Sequence, residues 1–478
     1  MLLKASKFFL YASVFAVLVV MTSTFFPFIG GKDYFFRFSV ELALIFFVLW
    51  WAFEAREGEA RALFARVFAS PIFVAVSLFV LIFLLATVFA HDPRSAFWSN
   101  YERGEGGFQM IHYYLFFALL ALLFRKEEDW RWLFRASVVA AVLMILYGVF
   151  ANLGWADNFI SPYQGGGAPD GLWRRLTEAR FQGSLGNPAY TAPYLLFSLF
   201  YLAYLWAGSR IKNKLLVHVG YGFLAVAFLF FFMLSQTRGA LLGLGAAIFV
   251  FLLYLAFRAA PRLKTWLVLL LVVFSILGGA LVYYRNSSFV KGLPGGRIFD
   301  IAFSDQTVNT RLWTWGSAWS GFKERPLLGW GAENFSAVFD KYFDTRHFVP
   351  GKNTETWFDR AHSLYFDALA ETGILGFVSY FGIFAMIFWR FFKKRKVEFN
   401  TDAAPSANKL GARGETFGAV AQMALILALA LGYLVQGLAI FDVLPMYINI
   451  FLFFAFCNYY FVPSLPAVTG PGNRLAQK

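Results

Sequence analysis

Three residues are of types, and in places, that could bind an anion or move a proton. Arg238 lies in Ser235-Gln236-Thr237-Arg238-Gly239, a joint of a few residues between two apolar runs. A guanidinium there can snorkel to lipid headgroups, or it can grip an anion such as a diphosphate with a planar fork that lysine cannot copy. Arg311, in Asn309-Thr310-Arg311-Leu312-Trp313, opens an amphipathic segment. It can add a second cation to that grip or remain a solvated charge on a helix surface. His362 follows Asp359-Arg360-Ala361, just ahead of an apolar run, where an imidazole can take a proton from an acceptor hydroxyl or serve structure alone. Arg180 and Asn187 are secondary candidates in Arg180-Phe181-Gln182-Gly183-Ser184-Leu185-Gly186-Asn187-Pro188. The plainer account of that stretch is a turn whose asparagine caps the helix begun by Pro188. Glu371, in Glu371-Thr372-Gly373, either orients a partner or faces headgroup water.

Other catalytic signatures are missing from the sequence. There is no His-Glu-x-x-His, no P-loop, no Gly-x-Ser-x-Gly elbow and no Asp-x-Asp pair for a metal-bound nucleotide sugar. His91, His112, His218 and His347 show no metal spacing, and the single Cys457 excludes an intrachain disulfide and a thiolate cage. No metal and no cofactor are therefore expected. Gly243-Leu244-Gly245, inside an apolar run, fits helix packing better than a dinucleotide site.

The elements that must position these residues are membrane spans. The chain is 59% hydrophobic and 15% charged, against roughly 45–50% and about 25% in soluble proteins. The apolar residues come in blocks of about 20, the length that crosses a hydrocarbon core of roughly 30 Å. Twelve spans are expected, near 8–29, 34–53, 68–90, 108–124, 131–153, 189–208, 215–235, 239–257, 265–284, 373–392, 417–440 and 444–462. The first is read as a span, since its apolar run is longer than a signal-peptide core and lacks a small-residue cleavage site.

With the N-terminus inside, short inner segments carry 24 Lys and Arg and short outer ones 8, which satisfies the positive-inside rule. The net charge of +14 is accordingly an orientation signal, and no nucleic-acid partner is expected. The expected organisation is all-α and polytopic. Residues 1–285 hold nine spans and an outer loop at about 154–188, and residues 286–363 form a large extracytoplasmic loop with short amphipathic helices. Three spans follow over 364–462, and 463–478 is a cytoplasmic tail. Within the large loop, Leu312, Trp315, Trp319 and Phe322 are spaced to share one helix face, as a small core or as a membrane-surface anchor. The basic segment 393–416 reads as a cytoplasmic linker.

Taken in order, Gly186-Asn187-Pro188, Ser235-Gln236-Thr237-Arg238-Gly239, Arg311-Leu312-Trp313, Pro326-Leu327-Leu328-Gly329-Trp330-Gly331, Ala361-His362-Ser363-Leu364-Tyr365 and Glu371-Thr372-Gly373 resemble the O-antigen ligase and O-antigen polymerase superfamily of membrane glycosyltransferases. The resemblance covers roughly residues 180–380. It implies a donor glycan on undecaprenyl diphosphate, an acceptor glycan or glycolipid, membrane lipid around both, and inverting transfer without a metal. It further implies the inner membrane as location, with the site on its outer face. By resemblance Arg238 and Arg311 fall where the family has diphosphate-contacting arginines, and His362 where it has its essential histidine. The sequence departs from many relatives in having Ser-Gln-Thr-Arg in place of Ser-x-Ser-Arg, which leaves the arginine in place. The runner-up is a polymerase that adds repeat units to a lipid-linked chain, since family members share these motifs across both reactions, and glycan transfer to a protein is a third option. A transporter or flippase is the non-enzyme alternative, with Glu41 and His218 as its few ionisable candidates within spans.

Overall fold

Prolines mark where many of the helices begin. Pro71, Pro188 and Pro261 each stand at the first turn of a long apolar helix, where a missing N–H leaves no bond unmade and φ is already helical. A computed structural model describes residues 1–100, 103–155, 169–209, 211, 213–299, 306–348, 356–398 and 417–461. Most of the expected linker 393–416, and the tail 463–478, lie outside them. The architecture is all-α, with no strand element among the described residues. Nine described helices are long and apolar enough to cross a bilayer, and the apolar helix Gly107–Leu123 is slightly shorter.

Leu444–Phe461 runs through the middle of the bundle and is buried on nearly every side, with Cys457 packed inside it. Pro261–Tyr283 lies at the rim, with Leu267 its one buried residue. Helices Arg238–Arg258 and Phe417–Gln436 come closest where Gly243 meets Gly432. A Cβ on Gly243 would fall 2.6 Å from the Gly432 carbonyl oxygen. Small residues let backbones approach where lipid offers no hydrophobic drive for association. Gly245 faces open space and takes no part.

The N-terminal span differs from expectation. In place of one helix over 8–29, Leu2–Ser13 is α-helical, Val14–Leu18 continues as 3₁₀, and the chain then turns back. Thr22, Ser23 and Thr24 followed by Pro27 explain the stop, because hydroxyls compete for backbone carbonyls and proline offers no N–H. Thr24 Oγ1 donates to the Met21 carbonyl at 2.8 Å, and Lys32 Nζ reaches back to the Val19 carbonyl at 2.6 Å.

Between the rim helix and the last three long helices the chain builds a cap. Its main helix, Gln306–Glu324, packs on the short helix Phe335–Lys341 around Ala318, Trp330, Phe335, Val338 and Phe339. The face expected from the aromatic spacing is split. Trp315 turns inward, while Leu312 and Trp319 are exposed. The buried face is instead the small one, Thr310, Thr314, Ser317, Ala318 and Gly321. Close approach selects it, since a Cβ on Gly321 would sit 2.3 Å from Val338.

Candidate functional site

The cap is fastened to the membrane bundle by the two motifs that looked least chemical. Leu364–Glu398 is a helix broken at Gly373, which adopts φ 61° and ψ −165°, a region essentially restricted to glycine. The break frees carbonyls, and the Pro326–Gly331 segment takes them. Trp330 N–H donates to the Ala370 carbonyl at 2.9 Å and Gly331 N–H to Glu371 at 2.8 Å, while Ile374 N–H donates back to Pro326 at 2.8 Å. A Cβ on Gly373 would lie 2.4 Å from the Leu327 oxygen. Gly373→Ala is thus expected to cost about 1–3 kcal/mol from backbone strain alone, with the steric clash in addition. Thermal unfolding in detergent measures this, and an unchanged midpoint would show that the break does not need glycine.

Beyond the break lies the loop 359–363, held at every residue. Asp359 receives a two-pronged ion pair from Arg103, with Nε–Oδ2 2.8 Å and Nη2–Oδ1 3.0 Å. The Arg360 guanidinium meets Glu371 at 2.7 Å, Glu333, and Glu105 at 3.6 Å. Ala361 N–H donates to Asp367 Oδ1 at 2.7 Å, and its carbonyl accepts from Trp315 Nε1 at 3.0 Å. Ser363 is buried, and Leu364 N–H donates to the Gly437 carbonyl at 2.8 Å.

His362, at the centre of this loop, has φ 56°. A left-handed conformation at a non-glycine residue persists only where its surroundings over-determine it, as they do here. The ring sits edge-on between Phe358 and Phe441, with centroids at 5.3 and 5.0 Å, and Nδ1 lies 3.1 Å from the Arg360 carbonyl. A carbonyl can only accept, so Nδ1 carries the proton and Nε2 of the neutral ring has the lone pair. Burial pushes the imidazole pKa down to about 4, and the nearby cations Arg311 and Arg103 act in the same direction. The ring is neutral at physiological pH and able to accept a hydrogen bond or a proton.

Arg311 reaches this loop because it lies one turn before Trp315 on the cap helix, and Trp315 both stacks on Phe366 at 5.0 Å and bonds Ala361. Arg238 belongs to a different element. It is half-buried and begins the helix Arg238–Arg258. Its neighbour Gly239 packs on Ala439 and Ile440, in the stretch 437–441 that also accepts Leu364 N–H and places Phe441 under His362. Arg180 supports the turn before Arg238: its Nε donates to the Ser235 carbonyl at 3.1 Å and its Nη2 to Thr237 Oγ1 at 3.4 Å. Asn187 caps Pro188–Ala207, accepting from Ala189 N–H at 2.8 Å. Both secondary candidates therefore carry structural bonds. Glu371 does not face headgroup water; it is buried and paired.

Residues 223–381 match the O-antigen ligase family. No curated protein matches the chain. The O-antigen ligase segment holds Arg238, Arg311 and His362 together with Glu333, Arg360 and Glu371. This match agrees with the superfamily that the motifs resembled, and it supports glycan transfer of the ligase or polymerase type by a membrane protein.

Arg103, Tyr190, Asp359, Arg360 and Phe441 were missed as site residues. Arg103 joins Asp359, the Tyr190 hydroxyl at 2.6 Å and the Phe441 ring at 5.1 Å. A signal for it existed: like Arg238, it is a cation in a segment expected outside, where orientation does not ask for one. Of the two ionisable residues a transporter would use, Glu41 pairs with His112 at 3.0 Å and His218 accepts from Trp206 Nε1 at 2.9 Å.

Proposed function

We propose that this protein moves a glycan from undecaprenyl diphosphate to a hydroxyl of an acceptor glycan or glycolipid, at the outer face of the inner membrane. The observation that carries this is a neutral histidine in a clamped loop beside Arg311, within the O-antigen ligase segment. The acceptor oxygen attacks the anomeric carbon from the face opposite the diphosphate, and the configuration inverts. The carbon–oxygen bond to the diphosphate breaks, and that oxygen leaves with the electron pair. His362 Nε2 receives the acceptor proton. Arg238 and Arg311 stabilise the charge that collects on the leaving diphosphate, the step that cations accelerate most. These arginines fill the role a metal would otherwise take, so the reaction proceeds without one. Surrounding lipid holds the donor's polyprenyl chain.

Reconstitution in liposomes with a defined lipid-linked glycan and a panel of glycan and glycolipid acceptors tests this. A glycosylated acceptor and free undecaprenyl diphosphate are expected, with turnover unchanged by chelation. Intact donor in the presence of every acceptor would overturn the transfer reaction, and full dependence on added magnesium or manganese would overturn its leaving-group chemistry.

Orientation is tested separately, aided by the native Cys457 being buried. In intact spheroplasts, Asn353→Cys should react with an impermeant thiol reagent and Ser406→Cys should not. The reverse pattern would place the cap in the cytoplasm.

A further inference from the structure

The loop that carries His362 is tied most heavily one pair of residues earlier. Arg360 is 5% exposed. Its guanidinium gathers carboxylates from three separate stretches of chain: Glu371 on the broken helix at 2.7 Å, Glu333 in the turn after Gly331, and Glu105 ahead of the helix Gly107–Leu123 at 3.6 Å. Glu371 Oε1 also receives the Glu333 N–H at 3.2 Å, so cap and helix are fastened at the same carboxylate. Three glutamates around one guanidinium exceed what neutralisation requires. Apolar side chains of similar volume often stabilise a fold as well as a buried ion cluster does, or better. What such a cluster supplies beyond stability is a fixed place for the backbone that bears it.

That backbone ends in the carbonyl bonded to His362 Nδ1 at 3.1 Å. We propose that Arg360 is the positioning residue of the reaction: its guanidinium, anchored to Glu105, Glu333 and Glu371, fixes the Arg360 carbonyl so that the His362 proton stays on Nδ1 and Nε2 is presented to the acceptor hydroxyl. The proposal rests on the reading of His362 as the acceptor's base. Asp367 holds the same peptide from its other side, by accepting from the Ala361 N–H, and Trp315 holds the next one through the Ala361 carbonyl. Arg360 is the residue that links the His362 bond to the cap, the broken helix and the segment before Gly107.

Two measurements test it, one of which needs no turnover. In protein labelled with ¹⁵N-histidine and held in lipid, the signal of His362 is identified among five histidines by its loss in His362→Gln. The parent should show the Nδ1-protonated tautomer. Arg360→Gln should lose that preference and lower kcat by about 10²-fold, the usual penalty for a displaced catalytic group, with donor affinity unchanged. Arg360→Lys keeps a cation but cannot span three carboxylates, and it should recover part of both signals.

Arg360→Gln leaves three buried carboxylates without their cation and can prevent accumulation. Glu371→Gln, which keeps an oxygen acceptor for the guanidinium, is read in the same two ways and should fall between parent and Arg360→Gln. If the variants that accumulate keep the parent tautomer, and kcat stays within about threefold, Arg360 is an ordinary structural residue. Should His362→Gln instead turn over at the parent rate, the base assignment fails, while the tautomer spectra still decide whether Arg360 holds the ring.

Discussion

His362→Ala is expected to lower turnover by about 10²–10⁴-fold, the range for loss of a general base, while donor binding stays near that of the parent. The two quantities should separate because, in the proposed reaction, the imidazole acts on the acceptor hydroxyl and arginines hold the donor's diphosphate. The pH profile carries the same assignment. Nε2 accepts a proton only in the neutral ring, so activity is present above the His362 pKa and is lost as pH falls through it. In the free enzyme that value is about 4, lowered first by burial and then by Arg311 and Arg103, with Asp359 opposing them. A diphosphate bound as proposed would add negative charge beside the ring and raise it. The acid limb of kcat/KM should therefore lie near pH 4, and the limb of kcat, which reports the enzyme–substrate complex, at higher pH. Initial rates at limiting and saturating donor give both. A His362→Ala variant, normally inserted, with parental turnover and the same limbs would remove the histidine from the mechanism.

Arg238→Lys should raise the donor Kd by about tenfold and Arg238→Ala by about 100-fold. Charge-assisted hydrogen bonds are worth about 1.5–3 kcal/mol each, and every 1.4 kcal/mol is about tenfold in affinity. Lysine keeps the charge and loses the fork. Arg311→Ala should weaken donor binding similarly, but with a second effect that Arg238 lacks. Arg311 is among the cations that depress His362, so its removal should move the kcat/KM acid limb upward, whereas Arg238→Lys should leave that limb in place. Binding of a labelled lipid-linked donor, together with the pH profiles, resolves the two residues. Equal limbs in both variants would separate Arg311 from the histidine, and unchanged donor affinity in both would end the diphosphate assignment.

The apolar blocks, the charge asymmetry between short segments and the order of the motifs were legible along the chain, because each is a local or additive property. Block length answers to the thickness of a bilayer, and a proline at a helix start answers to its own missing N–H. Arg238, Arg311 and His362 stood out for the same reason: each interrupts a pattern that its neighbours establish. The stop after Leu18 was also written in Thr22, Ser23, Thr24 and Pro27, but hydropathy averages over such a short polar run.

Sequence by itself determined an all-α membrane chain and three candidate residues spread over more than a hundred positions. Tertiary structure decided that Pro326–Gly331 and Glu371–Gly373 are two halves of one joint, paired through backbone atoms that no side-chain pattern reports. It also decided that Arg103 faces Asp359, and that Arg360 draws in Glu105, Glu333 and Glu371. An isolated cation or carboxylate in a sequence looks the same whether solvated or buried. Only its distance to a partner far along the chain separates the two, and that distance is set by how the cap closes on the bundle.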